Sequence, residues 1–261
     1  EGSRIIEGHS TEVITDLALD WLKERDKSKP FALMVQHKAP HRNWQPSETH
    51  ISKYDGETIP EPTTLYDDYK GRSSAASNQA MTVAKHLSPN DLKLVPQRGL
   101  TEQQSKYWNE AYGPKNEAFK KANLTGKELI QWKYQRYVKD YLRCIDSVDD
   151  NVGRILDYLD ESGLADNTIV IFTADHGEMM GSQGRFGKLV LYEEAYCVPF
   201  MVKYPGHTKK SQEDLMISPV DIMPTLLGMM GLNEQIPETV EGKNYAQEIL
   251  TGNWSTQPKP K

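Results

Sequence analysis

Asp175 and His176 stand side by side at the end of an apolar run, Ile169-Val170-Ile171-Phe172-Thr173-Ala174. Lys188 follows on a segment that also holds Gly177, Gly181, Gly184 and Gly187. A carboxylate next to an imidazole supplies two ligands for a divalent cation. The carboxylate suits calcium, magnesium or manganese, and the imidazole tolerates manganese or zinc better than calcium. A lysine on the same loop can neutralise a tetrahedral oxyanion held nearby. Clustered glycines mark tight backbone of the kind found around ligands. The bland alternative is a capping aspartate, a structural histidine at a strand end and a solvated lysine.

His41 is the fourth candidate. It ends Lys38-Ala39-Pro40-His41, where the proline restricts Ala39 to extended geometry. An imidazole fixed there can bind an anion or protonate a leaving oxygen. The alternative is a loop histidine without a role. His37 is a weaker candidate, because alternation along a strand points it elsewhere. Trp44 lies just beyond His41 and could stack on a sugar ring. Tyr66, Tyr69, Trp108 and Tyr112 are better read as packing a small satellite core.

These residues need elements to hold them. Thr11 to Arg25 carries Val13, Ile14, Leu17, Ala18, Trp21 and Leu22 at helical spacing, with Ser10 or Thr11 as its cap. After Pro30, Phe31-Ala32-Leu33-Met34-Val35 reads as a buried strand leading into His37 and His41. Residues from about 42 to 125 are polar, interrupted by Pro46, Pro60, Pro62, Pro89, Pro96 and Pro114. They read as a long loop-rich excursion, with short helices at Asn78 to Leu87 and Glu102 to Ala111. Excursions of this length are commonly functional loops or lids. Gly126 to Ser162 predicts a long helix that stops at Gly163. Strands follow at Ile169 and at Val198 to Val202, then a helix from Asp221 to near Gly231. The tail beyond Asn233 is poorly patterned. This alternation predicts an α/β fold, a mostly parallel sheet with helices on both faces.

The formal net charge is -6, so composition does not point to nucleic acid. No apolar stretch approaches the ~20 residues of a membrane span. Cys144 and Cys197 lack metal-type spacing and read as two buried free thiols. Asn123-Leu124-Thr125 and Asn253-Trp254-Ser255 fit the glycosylation pattern, which arises often by chance. The chain opens on Glu1 and closes on Pro258-Lys259-Pro260-Lys261, so it reads as a segment of something larger, incomplete at both ends.

Taken together the motifs resemble the sulfatase family of the alkaline phosphatase superfamily. In that family's order stand Lys38-Ala39-Pro40-His41, then Asp149-Asp150 with Gly153, then Thr173-Ala174-Asp175-His176-Gly177-Glu178. After them come Gly187-Lys188, Tyr192-Glu193-Glu194, Val198-Pro199 through Pro205-Gly206, and Pro219 to Leu226. His41 to Pro46, with Ile59-Pro60-Glu61-Pro62 and Asp67-Asp68-Tyr69, is similar to bacterial glycan sulfatases of the hexosamine-6-sulfatase and mucin-desulfating types. The Asp-His-Gly-Glu block is closer to choline-sulfatase and phosphonate-monoesterase relatives.

The resemblance implies that Asp175 and His176 ligate one divalent metal, usually calcium. Lys188 would contact the sulfate and the bridging oxygen, and His41 would bind the sulfate and assist the leaving group. It implies a formylglycine nucleophile made from a Cys/Ser-X-Pro-X-Arg motif, a sulfated carbohydrate or related ester as partner, and a periplasmic or secreted location. No such motif stands in this chain: Cys197-Val198-Pro199-Phe200-Met201 lacks the arginine. Residues 1–261 therefore read as a partial sulfatase catalytic domain whose nucleophile half is missing and expected upstream. Two other functions compete: a phosphodiesterase or phosphonate monoester hydrolase of the same superfamily, and a truncated, non-catalytic glycan-binding relative.

Overall fold

A computed structural model describes residues 5–252. The triplet at 253–255 lies outside them. The elements run α1 (Ser10–Glu24), α2 (Ser74–Asn78), α3 (Val83–His86), α4 (Glu102–Ala122), α5 (Gly126–Glu161), β1 (Val170–Thr173), α6 (Glu193–Tyr196), β2 (Phe200–Lys203), α7 (Pro219–Met229) and α8 (Ala246–Thr251). The described residues fall into two compact units. The first holds the chain up to Glu161 together with His176–Cys197. The second holds Ser162–Asp175 and the chain from Val198 onward.

The first unit is organised by α5. Its 36 residues extend about 54 Å at 1.5 Å per residue. α1 packs on it through Thr11, Thr15, Ala18, Leu19 and Leu22. This stripe is rotated from the expected one, and Leu17 and Trp21 are partly exposed. Trp21 instead meets Phe31 edge-on at 6.1 Å. Neither Ser10 nor Thr11 caps the helix. The cap position is His9, whose ring Nε2–H donates to the Gln45 carbonyl at 2.9 Å.

The excursion at 42–125 is built into the core. Trp44, Leu65, Val83, Leu87 and Leu92 form one buried cluster with Tyr134, Tyr137, Val138 and Cys144 of α5 and with Phe186. Of the helix expected at Asn78 to Leu87 only the four residues of α3 form, α2 ending at Asn78, because Met81 adopts φ 68° and Thr82 bridges to Arg185. α4 starts at a Thr101/Gln104 capping box, as its sequence suits, but runs past Ala111 and through Pro114. A proline inside a helix removes one hydrogen bond and crowds the preceding turn. Tertiary contacts on both sides carry the helix through: Trp108 and Tyr112 are buried, Lys115 reaches Asp55 at 2.6 Å, and Asn116 donates to the Lys93 carbonyl at 2.7 Å.

The second unit holds the only sheet among the described residues, β1 paired with β2 in the register Val170↔Lys203 to Thr173↔Phe200. The pairing is antiparallel, which corrects the expectation of a mostly parallel sheet for these two strands. A parallel return needs a crossover of a dozen or more residues, usually a helix. The link from β1 to β2 is long enough for one but holds no crossover helix, only the four residues of α6 and a 3-10 turn. Phe31–Val35 forms no strand pairing among the described residues, so the strand expected there is not formed by them. α7 has a capping box at Ser218 and Asp221, and packs against α8. The Asp221 carboxylate also accepts the Lys243 N–H at 2.7 Å. Cys144 is buried and free, its thiol pushed up to about 12 chiefly by desolvation. Cys197 is free but exposed, correcting the second buried thiol: it ends α6 and precedes β2.

Beneath α5 lies a buried charge network. Asp140 is 0 % exposed and accepts from Tyr112 Oη at 2.6 Å and Arg143 Nη1 at 2.7 Å, with Lys93 Nζ at 3.4 Å. Arg143 also reaches Asp55 at 2.6 Å and the Lys53 carbonyl at 2.7 Å. Burial pushes Lys93 below the usual amine range and Tyr112 well above the usual phenol range. Removing one partner of such a network leaves buried charges uncompensated, which costs about 3–5 kcal/mol. Asp140→Ala is therefore expected to destabilise the first unit by about that much. Urea unfolding followed by tryptophan emission measures it, since Trp21, Trp44, Trp108 and Trp132 all lie in this unit. A loss under about 1 kcal/mol would show the network to be dispensable.

Candidate functional site

The glycine-rich loop of the first unit is closed by its own backbone. The Gly177 N–H donates to the Ala195 carbonyl and the Met179 N–H to the Gly187 carbonyl, each at 2.9 Å. The Gly181 N–H donates to the Arg185 carbonyl at 2.8 Å. Gly177 is required by proximity, because a Cβ there would sit 2.1 Å from the Glu194 carbonyl oxygen. Gly181 is required by conformation and space: its φ is 90°, and a Cβ would meet the Tyr134 ring at 2.7 Å.

Glu178 ties this loop to α5. Its Oε1 accepts from the Tyr137 hydroxyl at 2.5 Å and also from the Gly187 N–H, immediately before Lys188. From the other side the excursion grips the loop. Tyr69 donates to the Gln183 carbonyl at 2.5 Å, the Gln183 N–H donates to Thr64 Oγ1 at 2.9 Å, and Arg72 reaches the Gln183 amide at 2.6 Å. Arg185, fully buried, donates to the Ala76 and Ala80 carbonyls. Lys188, half-buried, thus leaves a loop whose backbone is fixed from three directions.

His176 lies on the same loop. Its Nδ1 is 2.8 Å from the Gly177 carbonyl oxygen. A carbonyl only accepts, so Nδ1 carries the proton, and in the neutral ring Nε2 carries the lone pair. That is the tautomer a metal-ligating imidazole adopts when its second nitrogen is held by a carbonyl. His41 repeats the arrangement, with Nδ1 2.8 Å from the Arg42 carbonyl oxygen. Its Nε2 therefore donates a hydrogen bond only when the ring is charged, the form needed to bind an anion or hand a proton to a leaving oxygen.

The His41 segment meets the Lys188 loop at Phe186. The Arg42 guanidinium sits 5.0 Å from the Phe186 ring centroid, and Trp44 meets the same ring edge-on at 6.1 Å. Asp175 is exposed, directly after β1, and belongs to the second unit. Trp44 does not act as a sugar platform. It is 1 % exposed and packs on Tyr137 at 4.5 Å, so neither face can take a ligand. Both ring nitrogens of His37 are buried without a hydrogen-bond partner among the described residues, and burial lowers its basicity.

Asp175 and His176 offer a carboxylate and an imidazole, a donor set that fits a divalent cation in part. Among the described residues no group of three or more His, Cys, Asp or Glu side chains comes together to hold a metal. Three supporting residues escaped the sequence reading. Glu178 stood inside a motif already marked. Asp91 had one local signal, the Ser88-x-x-Asp91 spacing of a capping box, which the structure forms with bonds of 2.7 and 3.2 Å. Tyr137 showed only as one apolar position of a helix.

Comparison with known proteins identifies the family. The sulfatase family model matches residues 2–232, and the chain belongs to the sulfatase family, within the alkaline phosphatase superfamily. It is 39% identical over 93% of its length to N-acetylglucosamine-6-O-sulfatase of Bacteroides thetaiotaomicron, spanning 46% of that protein. It is 27% identical over 93% of its length to a multifunctional alkaline phosphatase superfamily protein of Trinickia caryophylli, spanning 42% of it. Among solved structures it superimposes with a TM-score of 0.89 and 36% identity on a protein in complex with its substrate D-glucosamine-2-N,6-O-disulfate, covering 94% of this chain and 53% of that one. The chain spans about half the length of these relatives.

Two outcomes are expected. Long-range proton–nitrogen spectra of histidine-labelled protein should show neutral His41 and His176 in the Nδ1–H form rather than the commoner Nε2–H form; the common form at either residue contradicts the geometry. Gly177→Ala should expel the loop from the Glu194 carbonyl and raise the proteolytic sensitivity of 176–188. Unchanged digestion would show that the close approach is not needed.

Proposed function

We propose that the protein to which this chain belongs hydrolyses sulfate esters of amino sugars, with 6-O-sulfated glucosamine as the substrate class. The observation that carries this reading is the 39% identity to an N-acetylglucosamine-6-O-sulfatase across 93% of the chain. It is supported by the fit to the structure bound to a 6-O-sulfated glucosamine. The chain itself is part of the catalytic domain. In the whole protein its antiparallel pair and Phe31–Val35 belong to a larger sheet with helices on both faces.

The roles follow the chemistry of each side chain. Asp175 and His176 hold a divalent cation, calcium before magnesium or manganese, with further ligands from outside this chain. When bound, the cation withdraws electron density from the sulfate oxygens. Lys188 lends a fixed positive charge to the sulfate and to the bridging oxygen as it takes up charge. His41, as imidazolium, donates from Nε2 to the sulfate or to the departing sugar oxygen. The nucleophile is a formylglycine outside these residues, since no Cys/Ser-X-Pro-X-Arg sequence occurs in the chain. A periplasmic or secreted location suits a polymeric glycan substrate. Among the described residues no helix is long and apolar enough to cross a membrane.

The test is turnover by the intact protein on N-acetylglucosamine 6-sulfate and on the matched 6-phosphate. Sulfate release well above phosphate release is expected, and the reverse order would move the protein to the phosphoester hydrolases. Lys188→Ala is expected to lower kcat by about 10²–10³-fold, the range for losing an oxyanion-stabilising group. An unchanged rate would take Lys188 out of the site. The 261-residue chain alone should not turn over, and activity there would place the nucleophile among its own residues.

A further inference from the structure

His41 owes its ring orientation to a backbone carbonyl, and that carbonyl belongs to a residue held from far away in sequence. Arg42, whose carbonyl oxygen takes the His41 Nδ1–H, donates from Nε to Asp91 Oδ1 at 2.7 Å and from Nη2 to Asp91 Oδ2. Asp91 lies 49 residues further on and is 0 % exposed. The same carboxylate accepts from Asn43 Nδ2 at 2.6 Å and from the Ser88 N–H and hydroxyl at 2.7 Å each. Lys93 adds a second tether, with Nζ donating to the Asn43 carbonyl at 2.5 Å and the Asp91 carbonyl at 2.9 Å. These donors hold the Asp91 carboxyl below the usual carboxylate range although burial opposes it.

We infer that Asp91 and Arg42 are positioning residues for His41, a role that rests on reading His41 as the group that meets the sulfate. Two planar charged groups joined by parallel hydrogen bonds fix both distance and orientation, which a single bond does not. Arg42 is the coupling element because it makes three different contacts: its fork on Asp91, its carbonyl on the His41 ring, and its guanidinium face on Phe186, two residues before Lys188. The buried carboxylate thereby fixes the histidine and sets it against the loop that carries the lysine. Asp91 also neutralises Arg42, so the guanidinium orients its neighbour without presenting an uncompensated cation. Outer residues that orient a catalytic or ligating group typically cost 10–100-fold when removed. A displacement of about 1 Å at the reacting groups can cost 10²-fold.

Arg42 is the residue to vary, because its side chain is 40% exposed, whereas a substitution at buried Asp91 could simply unfold the protein. In Arg42→Ala of the intact, histidine-labelled protein, His41 is expected to lose its Nδ1–H tautomer while His176, held by Gly177, keeps it as an internal control. With a sulfate ester, kcat should fall about 10–100-fold while KM stays within about threefold. Guanidinium ion in the buffer should raise kcat of the variant and not of the wild type. A His41 tautomer unaltered in Arg42→Ala overturns the inference whatever the activity. A kcat within about twofold of wild type overturns it as well. If the wild-type protein turns over no sulfate ester but the tautomer switch occurs, the positioning role stands and the reaction assigned above falls.

Discussion

Three rings far apart in sequence meet in the first unit, and the rest of that unit is arranged around their contact. Trp44 stands at the end of the His41 segment, Tyr137 in the middle of α5, and Phe186 on the glycine-rich loop. Their centroids lie 4.5 to 6.1 Å apart, all tilted or edge-on, and each ring is at most 1 % exposed. Edge-to-face packing of this kind adds about 0.5–1.5 kcal/mol per pair beyond the burial of area. Its greater consequence is geometric. A core packed near crystal density does not deform continuously, so the loops bearing His41 and Lys188 inherit one relative placement from the rings beneath them.

Around these rings the charged groups divide by depth. Asp91, Asp140, Lys93, Arg143 and Arg185 are buried and bonded to backbone or to one another. Their net contribution to stability is small, because desolvation offsets much of the attraction. Directionality is what they supply, since each joins segments that hydrophobic contact alone would let slide. His41 and Asp175 are exposed and Lys188 only half-buried. A group that meets a solvated ligand cannot be sealed in the core. The backbone behind it has to be rigid instead.

This division also decides what the sequence could reveal. Helices with one apolar stripe were legible: α1, α5 and α7 lie within a few residues of where periodicity places them, because each is held by its own repeating face. Asp175, His176 and Lys188 could be singled out because the Asp-His-Gly and Gly-Lys spacings are local. Long-range polar pairing was not. Asp91 meets Arg42 across 49 residues and Glu178 meets Tyr137 across 41, and nothing in composition or period reports such a pair. Strand direction failed for a related reason: an apolar run announces burial but not which neighbour it pairs with. Trp44 was misread because adjacency to His41 suggested a shared ligand, whereas its ring turns inward to Tyr137.

The two histidines show how a sequence motif becomes a chemical state. In each, the imidazole Nδ1 is held by a carbonyl of the very next residue, so the short backbone step after the histidine sets the tautomer. One arrangement then serves two purposes. At His176 a neutral ring with Nδ1 protonated carries its lone pair on Nε2, the nitrogen a cation would take. At His41 the same ring, once protonated, directs an N–H outward through Nε2, which suits an anion. Which purpose applies depends on the surrounding charge: His176 follows a carboxylate, while His41 precedes a guanidinium already neutralised by Asp91. Glu178 and Asp91 thus act in parallel, one buttressing the lysine loop and one the histidine segment. Each does so through a neighbour's backbone or side chain, leaving His41 exposed and Lys188 half-buried.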